Sequence, residues 1–313
     1  MNTLGNVEPI VKSSLKDLYA LLKPRVMWLA VFTAAVGIMI APNQNSFFLS
    51  LIILLCISIG AGAAGALNMW WDKEIDNLME RTSGRPLPSE KISSDDAFVF
   101  GFSLSIFSVM FLGLVSNWLA AFLLGVTIFF YLVIYSIFLK KTTPQNIVIG
   151  GAAGAMPPLI GWVATTGTIS AEPLLLFLFI FLWTPPHFWS LAIITKDDYA
   201  KANIPMFPVL YGVGKTRKLI LLYSVILTVC SQIIAFTEIG GPLFFLLSNV
   251  LNAVLLLSAV RLFRIHKNGE YEREKRFFKY TILYLFLYFG FLVISNFFKT
   301  FSADIPLNWP NLF

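Results

Sequence analysis

Asn68-Met69-Trp70-Trp71-Asp72-Lys73-Glu74-Ile75-Asp76 closes an apolar run, residues 47–67, that holds no charged side chain. Such a run reads as a helix crossing a bilayer, since about 20 apolar residues span the hydrocarbon core. The amide and the two carboxylates behind it stand four residues apart. Each step of four drifts by only about 40° around a helix, so Asn68, Asp72 and Asp76 form one stripe roughly 12 Å long. Oxygen ligands of this kind suit Mg²⁺, which keeps several waters and shares phosphate oxygens. Any one of these acids alone marks a helix leaving the bilayer, but solvated acids have no need of a common face. The stripe is therefore the leading candidate for a site that holds metal against a diphosphate. The segment behind it, Arg81-Thr82-Ser83-Gly84-Arg85-Pro86-Leu87-Pro88, is flexible and basic enough to close over an anion.

Outward from this stretch the whole chain is apolar. Of its 313 residues 57% are hydrophobic and 13% charged, against about 25% charged in soluble domains. Nine runs have the length of a membrane span or nearly so: residues 25–41, 47–71, 97–115, 118–139, 146–166, 174–195, 218–237, 243–263 and 277–298. The connections alternate in charge. Residues 42–46, 116–117, 166–173 and 238–242 hold no Lys or Arg, whereas the other connections and the N-terminal segment hold 22 of the 23 basic residues, leaving Lys299 opposite. The positive-inside rule then puts the N-terminus in the cytoplasm and the C-terminus outside. Residues 1–24 form a cytoplasmic segment, 25–298 the membrane domain and 299–313 a periplasmic tail. The charge of +6 lies along one membrane face, which points to anionic lipid rather than nucleic acid.

Cys56 and Cys230 fall inside apolar runs and read as small buried side chains. The first 23 residues lack a signal-type apolar core, and Glu8 and Asp17 do not suit a mitochondrial presequence. A bacterial inner membrane is the expected location.

Acids recur after the sixth span, in Thr195-Lys196-Asp197-Asp198-Tyr199, four spans beyond the first set. The layout is that of two four-helix repeats plus a ninth helix around a central cavity. Span 5 carries Gly150-Gly151, Gly154, Pro157-Pro158 and Gly161, and span 6 carries Pro185-Pro186-His187. These read either as packing points between helices or as a widened interior for a bulky ligand. His187 lies eight residues before Thr195, so roughly 12 Å inside the end of its helix. An ionisable group at that depth is a site candidate, with a hydrogen-bonded structural role as the alternative. His266 reads as solvated, Ser93 as the cap of the third span, and the sign-alternating cluster 270–279 as a solvated helix end.

At Asn68-x₃-Asp72-x₃-Asp76 the chain resembles the UbiA superfamily of intramembrane prenyltransferases. Within it, Lys23-Pro24-Arg25-Val26-Met27, Gly84-Arg85-Pro86-Leu87-Pro88, Thr184-Pro185-Pro186-His187-Phe188-Trp189, Asp197-Asp198-Tyr199 and Ile204-Pro205-Met206-Phe207-Pro208 resemble the branch that prenylates haem. One departure from members acting on quinone precursors is that adjacent Asp197 and Asp198 replace a second Asp-x₃-Asp.

The resemblance implies transfer of a farnesyl group from farnesyl diphosphate to a vinyl group of haem B, with Mg²⁺ as cofactor. It implies that Asn68, Asp72, Asp76, Asp197 and Asp198 meet metal. Arg81, Arg85, Lys196, Lys23 and Arg25 would bind diphosphate, and His187 would bind haem. The product would pass to a haem A synthase or a terminal oxidase. The rival readings are transfer to an aromatic acceptor, a transporter, or a haem chaperone. Transporters favour sites near the midplane, whereas these acids stand at helix ends.

Overall fold

The described residues of the computed structural model are 14–42, 45–264, 271–301 and 310, with side chains to residue 298 in the last helix. His266 and most of the 1–24 and 299–313 segments lie outside them. A short helix α1 (Leu15–Leu21) meets α2 (Pro24–Ile40) at a bend of 58°. Pro24 causes the bend: it donates no N–H and pushes the residue before it out of the right-handed helical region. Lys23 accordingly takes a left-handed conformation, φ 51°. Next come α3 (Phe47–Trp71), α4 (Lys73–Leu78), α5 (Ser94–Val115) and α6 (Trp118–Phe129). α6 runs on as a π-helix (Phe130–Leu139) into the turn α7 (Lys140–Thr142). The second half holds α8 (Asn146–Thr166), α9 (Ala171–Ile194), α10 (Lys196–Lys201), α11 (Phe207–Tyr211), α12 (Val213–Ala235), α13 (Pro242–Phe263) and α14 (Glu272–Phe301).

Eight helices among the described residues are long and apolar enough to cross a membrane, and the bent α1–α2 pair raises the number to nine. The chain is a multi-pass, all-helical membrane protein. Packing repeats between the halves: α3 lies along α5 as α9 lies along α12, and α5 neighbours α6 as α12 neighbours α13. α14 seals against α9, α13 and α2. Ser93 caps α5, its hydroxyl accepting from the Asp96 amide at 3.0 Å, as its sequence position predicts. Both cysteines are buried and free.

The Pro157–Pro158 pair marks a tight crossing. A methyl group on Gly37 would fall 2.2 Å from the Pro158 carbonyl oxygen, and one on Gly161 would fall 2.3 Å from that of Ala34. Main chains of α2 and α8 thus touch, as small residues permit in membranes. One expectation is corrected. The start of α14 is solvated at Glu272 and Lys275, but Glu274 is buried and pairs with Arg217 at 2.6 Å. An uncompensated buried carboxylate is costly, and the α12 guanidinium supplies the compensation.

Two long connections lie at the basic end of the bundle and are anchored by apolar side chains. Leu87 and Ile92 pack with Leu21, Ala66, Met69 and Ala97, which holds residues 79–93 over the head of α3. Ile75 and Met79 share a core with Tyr199, Ala202, Ile204 and Met206, which draws the connection after α9 to the one after α3.

Candidate active site

Helical hydrogen bonding runs unbroken through the stripe. Asp72 donates its amide to the Asn68 carbonyl at 2.9 Å, and Asp76 to that of Asp72 at 2.8 Å. The spacing therefore keeps all three side chains on one face, although α3 gives way to α4 at Asp72. These are not solvated exits from the bilayer: Asn68, Asp72 and Asp76 are 4%, 1% and 2% exposed.

Burial at that level demands partners, and the partners converge from three elements. The left-handed turn at Lys23 brings its ammonium onto Asn68 Oδ1. Arg85 donates to Asp76 Oδ2 at 2.6 Å. Lys140 donates to Asp72 Oδ2 at 2.6 Å. The Asn68 amide nitrogen donates to Asp72 Oδ2 at 2.8 Å and to Ser136 Oγ at 2.7 Å. Ser136 in turn donates to the Tyr131 carbonyl five residues back, at 2.8 Å, the spacing of the π-helix. π-helical segments are rare and gather at functional sites, and this one turns Ser136 and Lys140 towards the same stripe. Neither residue stands out in the sequence, where Lys140-Lys141 reads as a topological anchor. The one local signal is position, since a Lys directly ending a span can fold back on a neighbouring acid.

Two carboxylates face Arg85, Lys140 and Lys23, whose pKa is lowered to about 7 by burial and then by the Arg85 charge, so the local balance runs from neutral to positive. The donor set also fits a hard cation, because Asp72 Oδ1 is buried with no hydrogen-bond partner among the described residues. No group of three or more His, Cys, Asp or Glu side chains among them is preassembled around one point. Bound metal would thus have to compete with Lys140 for Asp72 and with Arg85 for Asp76.

The second acidic connection sits differently. Asp197 is exposed, and Lys196 and Asp198 are half-buried. Tyr199 is buried, which pushes its phenol above the usual range while the Arg81 guanidinium opposes the shift. Arg81 of the first connection therefore faces α10 of the second. Arg25 is exposed on the first turn of α2.

His187 is 8% exposed and lies between two rings, Trp183 at 4.3 Å and Phe278 at 4.6 Å, both near parallel. Its Nδ1 is 2.8 Å from the Thr281 hydroxyl, and Trp183 donates to the Thr281 carbonyl at 2.9 Å. The ring's faces and Nδ1 are thus engaged, which leaves Nε2 as the atom able to meet a ligand. A cavity of about 420 Å³ opens at the other end of the bundle, beside Ile40, Trp162, Ser170, Glu172 and Glu238. Its described lining contains no Lys or Arg and does not suit a diphosphate.

Comparison with known proteins agrees with this geometry. Residues 30–290 match the UbiA prenyltransferase family. The chain is 50% identical over 295 residues to a protoheme IX farnesyltransferase of Ruegeria sp. (strain TM1040), covering 93% of this chain and 94% of that relative. It is 48% identical over 300 residues to a protoheme IX farnesyltransferase of Paracoccus denitrificans (strain Pd 1222), covering 95% and 98%. Among solved structures it is similar to a digeranylgeranylglyceryl phosphate synthase, with a TM-score of 0.75 at 20% identity over 90% of this chain and 98% of that one. It is also similar to a UbiA homologue from Archaeoglobus fulgidus bound to GPP and Mg²⁺, with a TM-score of 0.63 at 19% identity over 89% and 99%.

Proposed function

The chain belongs to the UbiA prenyltransferase family, and from that membership we propose that it transfers the farnesyl group of farnesyl diphosphate to a vinyl group of haem B. The coarser statement, that it is an intramembrane prenyltransferase, stands on the family match and on relatives about half identical over nearly the whole chain. The buried stripe, two carboxylates and an amide set among Lys23, Arg85 and Lys140, supports the diphosphate half of this reading, and the name of the relatives supports the haem half.

Asn68, Asp72 and Asp76 would hold Mg²⁺, with Asp198 and Asp197 contributing from α10. The bound ion supplies Lewis-acid neutralisation of the leaving diphosphate. Arg85 and Lys140, with Lys23 when protonated, would add positive charge where negative charge develops as the allylic C–O bond breaks. Arg81, Lys196 and Arg25 lie further out and are suited to capture the diphosphate as it enters. The vinyl π pair attacks the allylic carbon, and water adds to the cation left beside the porphyrin with loss of a proton. The product is a hydroxyethylfarnesyl haem together with diphosphate. His187, through Nε2, is the proposed contact to the substrate's iron, since neutral imidazole is a usual haem ligand. Trp183 and Phe278 fix the plane of its ring.

The proposed setting is a bacterial inner membrane with the basic face in the cytoplasm, and a haem A synthase or terminal oxidase as recipient. The test is incubation of purified protein with haem B, farnesyl diphosphate and Mg²⁺, followed by chromatography. A later-eluting haem that needs all three additions supports the reading. An unchanged haem, with prenylation of an aromatic acceptor supplied in a parallel reaction, would move the reading to the aromatic branch.

A further inference from the structure

Two buried oxygens beside Lys140 have no hydrogen-bond partner among the described residues. One is Oδ1 of Asp72, whose other oxygen accepts from the Lys140 ammonium at 2.6 Å. The other is Oδ1 of Asn146, whose Nδ2 donates to the Lys140 carbonyl at 3.2 Å. Asn146 is the first residue of α8 and 1% exposed. Its neighbour Ile147 is buried in the same core as Ile75 of α4 and Met79 just beyond that helix. Through Lys140, the start of α8 is linked to the acidic stripe.

An amide oxygen buried without a partner is unfavourable for the empty protein, where an apolar residue of similar volume would pack without that cost. It becomes useful if a donor arrives. Lys140 is such a donor, with a compact ammonium on a flexible four-carbon stem. The ammonium and a divalent cation repel each other, so they cannot both stay close to the Asp72 carboxylate without penalty.

We propose that Asn146 is a positioning residue for Lys140: when the Asp72 carboxylate is taken up by a divalent cation, the Lys140 ammonium passes to Asn146 Oδ1 and remains beside the diphosphate. This rests on the diphosphate–metal reading of the stripe. The empty protein keeps its charges paired through Lys140 and Asp72, and the loaded protein keeps Lys140 hydrogen-bonded and charged through Asn146.

The experiment compares detergent-purified wild type with Asn146→Ala and Asn146→Asp. Binding of Mn²⁺ in the presence of inorganic diphosphate is read by EPR, and KM for farnesyl diphosphate is read separately from kcat. Asp keeps an acceptor for Lys140, adds a negative charge, and removes the donor to the Lys140 carbonyl. Loss of one charge-assisted hydrogen bond is worth roughly tenfold in affinity. Asn146→Ala is expected to weaken diphosphate-dependent Mn²⁺ binding and to raise KM by about that factor, with a smaller change in kcat; Asn146→Asp is expected to recover most of the loss. If Asn146→Ala does not purify as a folded protein, Asn146→Leu replaces it with the same expected loss. Wild-type binding in the Ala or Leu variant overturns the proposal. So does an Asp variant as weak as Ala, which would assign the role to the Nδ2 bond alone. No diphosphate-dependent Mn²⁺ binding in wild type would overturn the reading of the stripe, and this inference with it.

Discussion

Lys140 meets Asp72 across 68 positions of sequence, its ammonium 2.6 Å from one carboxylate oxygen while the other is buried with no described partner. The pair joins the end of the π-helix to the head of α3, and the stripe depends on it for charge compensation. Asp72→Asn keeps the shape and removes the charge. We expect transfer to fall by about 100-fold or more, the scale on which a preorganised electrostatic group contributes. The variant should insert and extract normally. Near-normal turnover at saturating Mg²⁺ would remove Asp72 from the chemistry.

Lys23 contributes its ammonium from a left-handed backbone, φ 51°. Glycine adopts that conformation without steric cost, and Ala is disfavoured there by about 1 kcal/mol. Lys23→Gly should therefore melt at a higher temperature than Lys23→Ala, while both bind farnesyl diphosphate more weakly than wild type. Equal melting temperatures would show that the turn relaxes when the lysine is removed.

Reporter fusions at Asn117, Gly167 and Gly240 are expected to report the periplasm, and fusions at Ser89, Thr142 and Asn203 the cytoplasm. The basis is the placement of 22 of 23 basic residues on one set of connections and the positive-inside rule. One reversed signal would break the alternation at that helix.

Much of this architecture could be read directly from residue order. A membrane span announces itself through composition, and the runs at 47–71 and 146–166 coincide with α3 and α8 to the residue. The Asn68–Asp76 stripe was legible because the helical period alone puts the three on one face. Its partners were not. Ser136 and Lys140 reach the stripe only through the register of a π-helix, which periodicity does not announce. Thr281 lies 94 positions from His187, and only tertiary packing sets them together. Glu274 carries the same alternating charge pattern as its exposed neighbours, so its burial against Arg217 had no local signature.

His187 and Thr281 yield a spectroscopic prediction. Thr281→Val removes the partner of Nδ1 while keeping the volume, and His187→Ala removes the imidazole. If Nε2 contacts the substrate's iron, His187→Ala should shift the optical and EPR spectra of added haem, and Thr281→Val should perturb them less. Spectra, haem affinity and turnover all matching wild type in His187→Ala would make the histidine purely structural.

The most direct test of the central claim is mass analysis of the haem, with parallel measurement of released diphosphate, after reaction of haem B and farnesyl diphosphate with wild type and with Asp72→Asn. The account predicts, for wild type, a haem heavier by one farnesyl group and one hydroxyl, with one diphosphate released per product. Asp72→Asn should give each about 100-fold more slowly, or slower still. Unmodified haem with wild type, or product formed equally by the Asp72→Asn variant, would contradict it.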